Sequence, residues 1–188
     1  MMYRKIILFS NILILIVSCS QQEARRPITQ SSGTFIKESV DRNKALIAQE
    51  EAQIQELIKK DSVHEYTASE NGFWYFYNST SPAETYTPKK GDTLRFEYNV
   101  AKITGETIYT KEEIGIQEYV VDKQKMIPGF RYALQLMKKG ETATFLFPSH
   151  VAFGYHGDTK KIGSNVPIQS TITLLSIKTN QKNLETKN

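Results

Sequence analysis

Apolar positions change their period three times along the chain. Residues 6–17 form an apolar run broken only by Ser10 and Asn11, with Arg4 and Lys5 ahead of it and Ser18 and Cys19 at its end. A charged start, a short apolar core and small residues before a cleavage point describe an export signal. The run is too short for a permanent membrane-spanning helix, which takes about 20 residues. From 20 to 33 the texture is polar, with Gln21, Gln22, Arg25, Arg26, Pro27, Ser31 and Ser32, and reads as a flexible tether. Residues 35–60 then contain neither Gly nor Pro. Ile36, Val40, Ile47, Ile54 and Ile58 recur there at spacings of four and seven, with Leu46 and Leu57 beside them. That spacing predicts a long helix with one apolar stripe, and Lys59 and Lys60 suit its C-terminal end. The stripe leaves three partners open: its own domain, a second copy of the chain as a homodimer, or another envelope protein. Val40, Ile47 and Ile54 make too few heptads for a coiled coil.

After Asp61 the period becomes two. Residues 72–77 are a strongly aromatic strand, and a loop rich in Ser, Thr and Pro follows to Pro88. Residues 93–103 alternate, with Leu94, Phe96, Tyr98 and Val100 on one face and Arg95, Glu97 and Asn99 on the other. Short strands are expected at 107–109 and 118–122. Phe130, Leu134 and Met137 share a face of a helical patch over 130–139, and Gly140 suits a left-handed cap behind it. Strands at 142–147 and 170–177 flank a long polar loop over 148–164. Several antiparallel strands around one short helix predict an α+β fold, an open half-barrel sheet preceded by the long helix.

Composition narrows the chemistry. The 188 residues carry 24 basic and 20 acidic side chains. Removal of Arg4 and Lys5 with the export signal leaves 22 against 20, a net charge of +2 and too weak for nucleic acid as a partner. One cysteine permits neither an intramolecular disulfide nor a cysteine-based zinc site. His64, His150 and His156 form no ligand-spaced pair, so neither metal nor cofactor is expected.

Four motifs then stand in order: Lys90, Gly91 and Asp92; Lys125 through Phe130 (KMIPGF); Met137 through Glu141 (MKKGE); and Phe147 through Gly154 (FPSHVAFG). Their order and spacing resemble an FK506-binding-protein-type (FKBP-type) peptidyl-prolyl isomerase domain, with Val166 and Pro167 fitting its end. Cys19 and its flanks resemble a bacterial lipobox, which implies cleavage before Cys19 and a membrane anchor through lipid on that residue. Lipobox, helix and domain together are similar to the gliding-motility-associated isomerase lipoproteins of the Bacteroidota. The implied organisation is an export signal over 1–18, a tether over 19–34, a helix over 35–62, the isomerase domain over 66–178 and a polar tail over 179–188.

The resemblance implies site residues by position. Tyr98 keeps the family tyrosine, Phe130 takes the pocket floor usually held by tryptophan, and Phe153 takes a tyrosine position without its hydroxyl. Ile127 would offer its backbone N–H to a substrate carbonyl. Met126, Ile108, Tyr109, Gln117, Val166 and Leu174 would complete the lining, with Ile172 the alternative to Leu174. Ile108 and Tyr109 replace a usual Phe-Asp pair, so a carboxylate that orients pocket groups is missing.

The resemblance implies two alternative functions. One is a periplasm-facing isomerase, at the outer membrane, that turns proline-containing clients among exported envelope proteins. The other is a module that holds proline-containing segments as a chaperone or structural partner without useful turnover. Each of these aromatic positions could equally serve the core of a β-rich domain.

Overall fold

The computed structural model describes residues 33–180; the expected export signal and the lipidation at Cys19 lie outside them. The chain divides after Glu38. Before the division, the described residues are the first turns of helix α1 (Gly33–Lys60). Phe35 and Ile36 are exposed there.

The second unit, from Ser39 on, contains the rest of α1 and everything after it. The stripe buries fully at Ile54 and partly at Leu46, Ile47, Leu57 and Ile58, while Val40 stays exposed. The helix ends where Asp61 accepts the N–H groups of Val63 and His64, an acceptor for donors that the next residues would otherwise leave unmet.

Among the described residues eight strands follow: β1 (Thr67–Ser69), β2 (Phe73–Ser79), β3 (Thr93–Tyr98), β4 (Val100–Lys102), β5 (Thr107–Tyr109), β6 (Gln117–Val120), β7 (Thr142–Phe147) and β8 (Ile168–Lys178). They make one antiparallel sheet in the order β1-β2-β7-β8-β3-β6, with β4 pairing β5 and β8. Helix α2 (Lys111–Ile114) and helix α3 (Pro128–Leu136) interrupt the strands. The fold is α+β with an open antiparallel sheet, as the change of period predicts.

Leu94, Phe96 and Val100 are buried, and so are Phe145 and Phe147 of β7 and Ile168, Ile172 and Leu174 of β8. Phe130, Ala133 and Leu134 of α3 join the same cluster. Burying a side chain such as Phe or Leu contributes about 1.5–3 kcal/mol, so this single cluster is the main source of the domain's stability.

Four local expectations need correction. The long strand over 93–103 breaks at Asn99, whose side-chain oxygen accepts the Thr171 N–H at 2.8 Å while its carbonyl accepts the Ser170 hydroxyl at 2.6 Å. A side chain has replaced one rung of the ladder, and the strand resumes as β4. Gly140 does not cap α3, which ends at Leu136 with an extended Met137 behind it. Gly140 instead takes a positive φ of 84° in the turn before β7 and donates its N–H to the Leu174 carbonyl at 2.7 Å. A second short helix, α2, was not anticipated; Thr110 and Glu113 form a reciprocal capping box at its start. The last strand covers 168–178 rather than 170–177.

Candidate active site

One hollow of roughly 310 Å³ gathers side chains from six segments: Tyr98 from β3, Val100 from β4, Tyr109 from β5, Glu113 and Ile114 from α2, Phe153, and Asp158 with Lys160. Alternation carries Tyr98 and Val100 to one face of the β3–β4 chain. The capping box aims α2 so that Ile114 closes one side. Phe153 lies between two short 3-10 turns, Ser149–Val151 and Gly154–His156.

Beneath this hollow lies an aromatic stack. The rings of Tyr98 and Phe130 meet edge-to-face with centroids 4.7 Å apart, Phe130 stacks on Phe147 at 5.5 Å, and Phe147 on Phe145 at 5.6 Å. Phe130 is only 1% exposed and supports Tyr98 from beneath the hollow. Burial pushes the Tyr98 phenol above its ordinary range. Its hydroxyl has no hydrogen-bond partner among the described residues, so it stands as an unused donor at the hollow.

A carboxylate is present after all, delivered by a loop. Asp158 Oδ2 accepts the Tyr109 hydroxyl at 2.5 Å, and Oδ1 accepts the N–H groups of Lys160 and Ile162, both at 2.8 Å. Burial would raise the Asp158 pKa, but the Tyr109, Ile162 and Lys160 hydrogen bonds outweigh it and hold the group below the ordinary value. The same bond to Asp158, with burial, raises Tyr109. Lys161 completes the rim: its Nζ donates to the Ile108 carbonyl at 3.2 Å and pairs with Glu113 at 2.9 Å, lying 4.6 Å over the Tyr109 ring.

Of the residues carried over by position, Tyr98, Tyr109 and Phe153 line this hollow. Ile127 is the residue before α3, with φ −59° and ψ 140°, and its N–H has no partner among the described residues. Ile108 and Met126 are half-buried against the core; Met126 borders a separate hollow with Lys90, Asp122 and Arg131. Gln117 donates its side-chain amide to the Ile114 carbonyl at 2.9 Å, which ties α2 to β6. Val166 faces Leu57 of α1 across a different groove. Ile172 and Leu174 are both fully buried opposite Tyr98 and Phe96, and neither lines the hollow. Val100, Ile114, Glu113, Asp158 and Lys160 were missed. The alternation already put Val100 beside Tyr98, whereas no local signal singles out Asp158.

No group of three or more metal-ligating side chains occurs among the described residues. Aromatic and aliphatic walls with a free hydroxyl suit an uncharged ring.

Known proteins resemble this chain in sequence and in fold. Residues 84–175 match the family model of the FKBP-type peptidyl-prolyl cis-trans isomerases. A probable FKBP-type peptidyl-prolyl cis-trans isomerase of Neisseria meningitidis serogroup B is 32% identical over 127 residues, 68% of this chain and 44% of that protein. The outer membrane protein MIP of Legionella longbeachae is 33% identical over 91 residues, 48% of this chain and 39% of that protein. The chain thus spans less than half the length of these curated relatives. A solved peptidyl-prolyl cis-trans isomerase from Pseudomonas syringae pv. tomato superposes with a TM-score of 0.55 at 18% identity, over 72% of this chain and 96% of that one, and shows the shared fold. Over residues 84–175 the chain belongs to the FKBP-type peptidyl-prolyl cis-trans isomerase family.

Proposed function

We propose that the chain is a peptidyl-prolyl cis-trans isomerase whose site is the hollow between Tyr98, Val100, Ile114 and Phe153. Rotation about an X–Pro amide meets a barrier of about 18–20 kcal/mol because resonance keeps the amide planar. The twisted amide separates less charge than the planar one. A water-poor, apolar wall therefore favours the twisted state without any nucleophile. The observation that carries this reading is the hollow itself, with aromatic walls and the unpaired Tyr98 hydroxyl at its edge. The Ile127 N–H, just ahead of α3, would take the carbonyl flanking the proline.

The finer reading puts this activity in the cell envelope, on exported proteins, with lipid on Cys19 holding the chain at the outer membrane. The lipobox-like segment supports it, as does the similarity to the outer membrane protein MIP of Legionella longbeachae. A role in gliding motility rests on the combined resemblance of lipobox, helix and domain. The exposed Val40 on α1 supports a partner along that helix, and a second copy is the simplest one.

A second reading is a module that holds proline-containing segments without turnover. It is favoured by the charged rim of Glu113, Asp158 and Lys160 around the hollow. One assay separates the two. The full chain is mixed with an Ala-X-Pro-Phe tetrapeptide series and cis-to-trans relaxation is followed against a blank, with Tyr98→Phe and Phe153→Ala alongside. Acceleration that weakens in both variants is expected. A folded chain that binds the peptides but leaves relaxation at the blank rate would select the second reading.

A further inference from the structure

Glu50, on α1, is only 3% exposed, and no cation pairs with it among the described residues. Its carboxylate accepts two hydrogen bonds from one residue 99 positions away: the Ser149 N–H to Oε2 and the Ser149 hydroxyl to Oε1, both at 2.7 Å. Burying a carboxylate is costly unless its oxygens find donors, and breaking a buried polar pair leaves the remaining partner unmet. Ser149 thus has strong reason to stay where Glu50 holds it.

Ser149 begins the 3-10 turn Ser149–Val151, and Phe153 follows two residues after that turn ends. The turn is confined from another side too. A Cβ built on Gly129, in the first turn of α3, would lie 2.8 Å from the Val151 carbonyl oxygen and 2.6 Å from the Phe147 ring. Val151 and Ala152 are both buried, so the segment has little room to yield before it reaches the hollow. Glu50 on α1 and Gly129 on α3 thus bracket the short segment that delivers Phe153.

We infer that Glu50 is a positioning residue, which sets the Phe153 wall of the hollow from α1. The inference rests on the proposed reading of that hollow as the prolyl site. It makes α1 part of the active-site scaffold as well as a spacer, since a displacement of the helix at Glu50 passes to Phe153 through four residues of constrained backbone.

The test uses the full chain with the tetrapeptide series and compares Glu50→Gln, Ser149→Ala and Glu56→Gln, the last an exposed glutamate on the same helix. Small misplacements of groups at a reacting centre cost up to about a hundredfold in rate. For Glu50→Gln and Ser149→Ala, kept well below their unfolding temperatures, we expect kcat/KM to fall about fivefold to tenfold, mainly through a raised KM. The ring resonances of Phe153 in the NMR spectrum should shift in both, and Glu56→Gln should change neither. A folded Glu50→Gln with the parent's kcat, KM and Phe153 resonances would overturn the inference. If Glu50→Gln does not fold, Ser149→Ala, which deletes only the hydroxyl arm, decides by the same two outcomes. If the parent chain itself gives no acceleration, the functional reading fails, and the Phe153 resonances alone decide whether Glu50 sets that ring.

Discussion

The hydroxyl of Tyr109 donates a 2.5 Å hydrogen bond to Asp158, joining two residues 49 positions apart at the rim of the hollow. Tyr109 stands where the family resemblance implies an aspartate, and the carboxylate returns from the loop that follows Phe153. Asp158→Asn keeps the shape but replaces an oxygen acceptor and its charge. We expect isomerisation to fall several-fold while the far-ultraviolet circular dichroism stays unchanged. Activity equal to the parent would show that this carboxylate only shapes its own loop.

The same carboxylate has a pH signature. Its hydrogen bonds outweigh burial and hold its folded pKa below the unfolded value, which is about 3.9. A lowered carboxylate contributes stability at pH values above the unfolded pKa, and that stability is lost as the pH falls through the folded one. Acid titration should therefore destabilise the parent more steeply below about pH 4 than it destabilises Asp158→Asn. Parallel curves in urea melts at pH 5 and pH 3 would argue against the assignment.

Tyrosines set the alkaline limit. Burial, reinforced by the Glu141 carboxylate, pushes Tyr77 up to about 12, and burial with the bond to Asp61 pushes Tyr66 up to about 12. A phenol whose folded pKa is raised stabilises the fold below its unfolded value of about 10 and loses that contribution as the pH rises through the folded one. Stability should fall between pH 10 and 12, and the double variant Tyr66→Phe, Tyr77→Phe should flatten that fall. An unchanged alkaline limb would place its cause in other groups.

Tyr98→Phe separates chemistry from packing. The ring keeps its edge-to-face contact with Phe130, and the hydroxyl removed has no partner to abandon. Unfolding free energy should change by less than about 0.5 kcal/mol. Loss of one substrate hydrogen bond, worth about 1 kcal/mol, should lower kcat/KM about fivefold. A large drop in thermal stability would mean that the hydroxyl serves the fold.

At Gly129 the constraint is space. An added Cβ would stand 2.6 Å from the Phe147 ring and 2.8 Å from the Val151 carbonyl oxygen. Overpacking of this kind costs about 1–3 kcal/mol, so Gly129→Ala should lower the urea midpoint without changing the slope. A variant as stable as the parent would show that the turn has room to move.

Local periodicity was legible in the residues alone. Spacing of Ile47, Ile54 and Ile58 specifies a helix because its side chains return to one face every three or four residues. Alternation over Leu94, Phe96 and Tyr98 specifies a half-buried strand for the matching reason. The ordered motifs around Gly91, Pro128, Gly140 and Phe153 carried the family, since each sits at a turn or helix start whose backbone demands it.

Which of these residues meet became visible once the chain had folded. Periodicity assigns a face and gives no depth, so the burial of Phe130 beneath Tyr98 appears only once the elements pack. Nor does it reach through loops: Asp158 carries no local signal, and its role appears once the chain brings it to Tyr109. Leu174 sank into the core beside Phe96, because β8 is held on both sides by neighbouring strands. The pairing of Glu50 with Ser149 was equally invisible, since a charged residue on a helix reads as solvated until another element covers it. Local propensity is written in neighbouring residues, whereas the site is written in distances that exist only after the sheet has closed over its core.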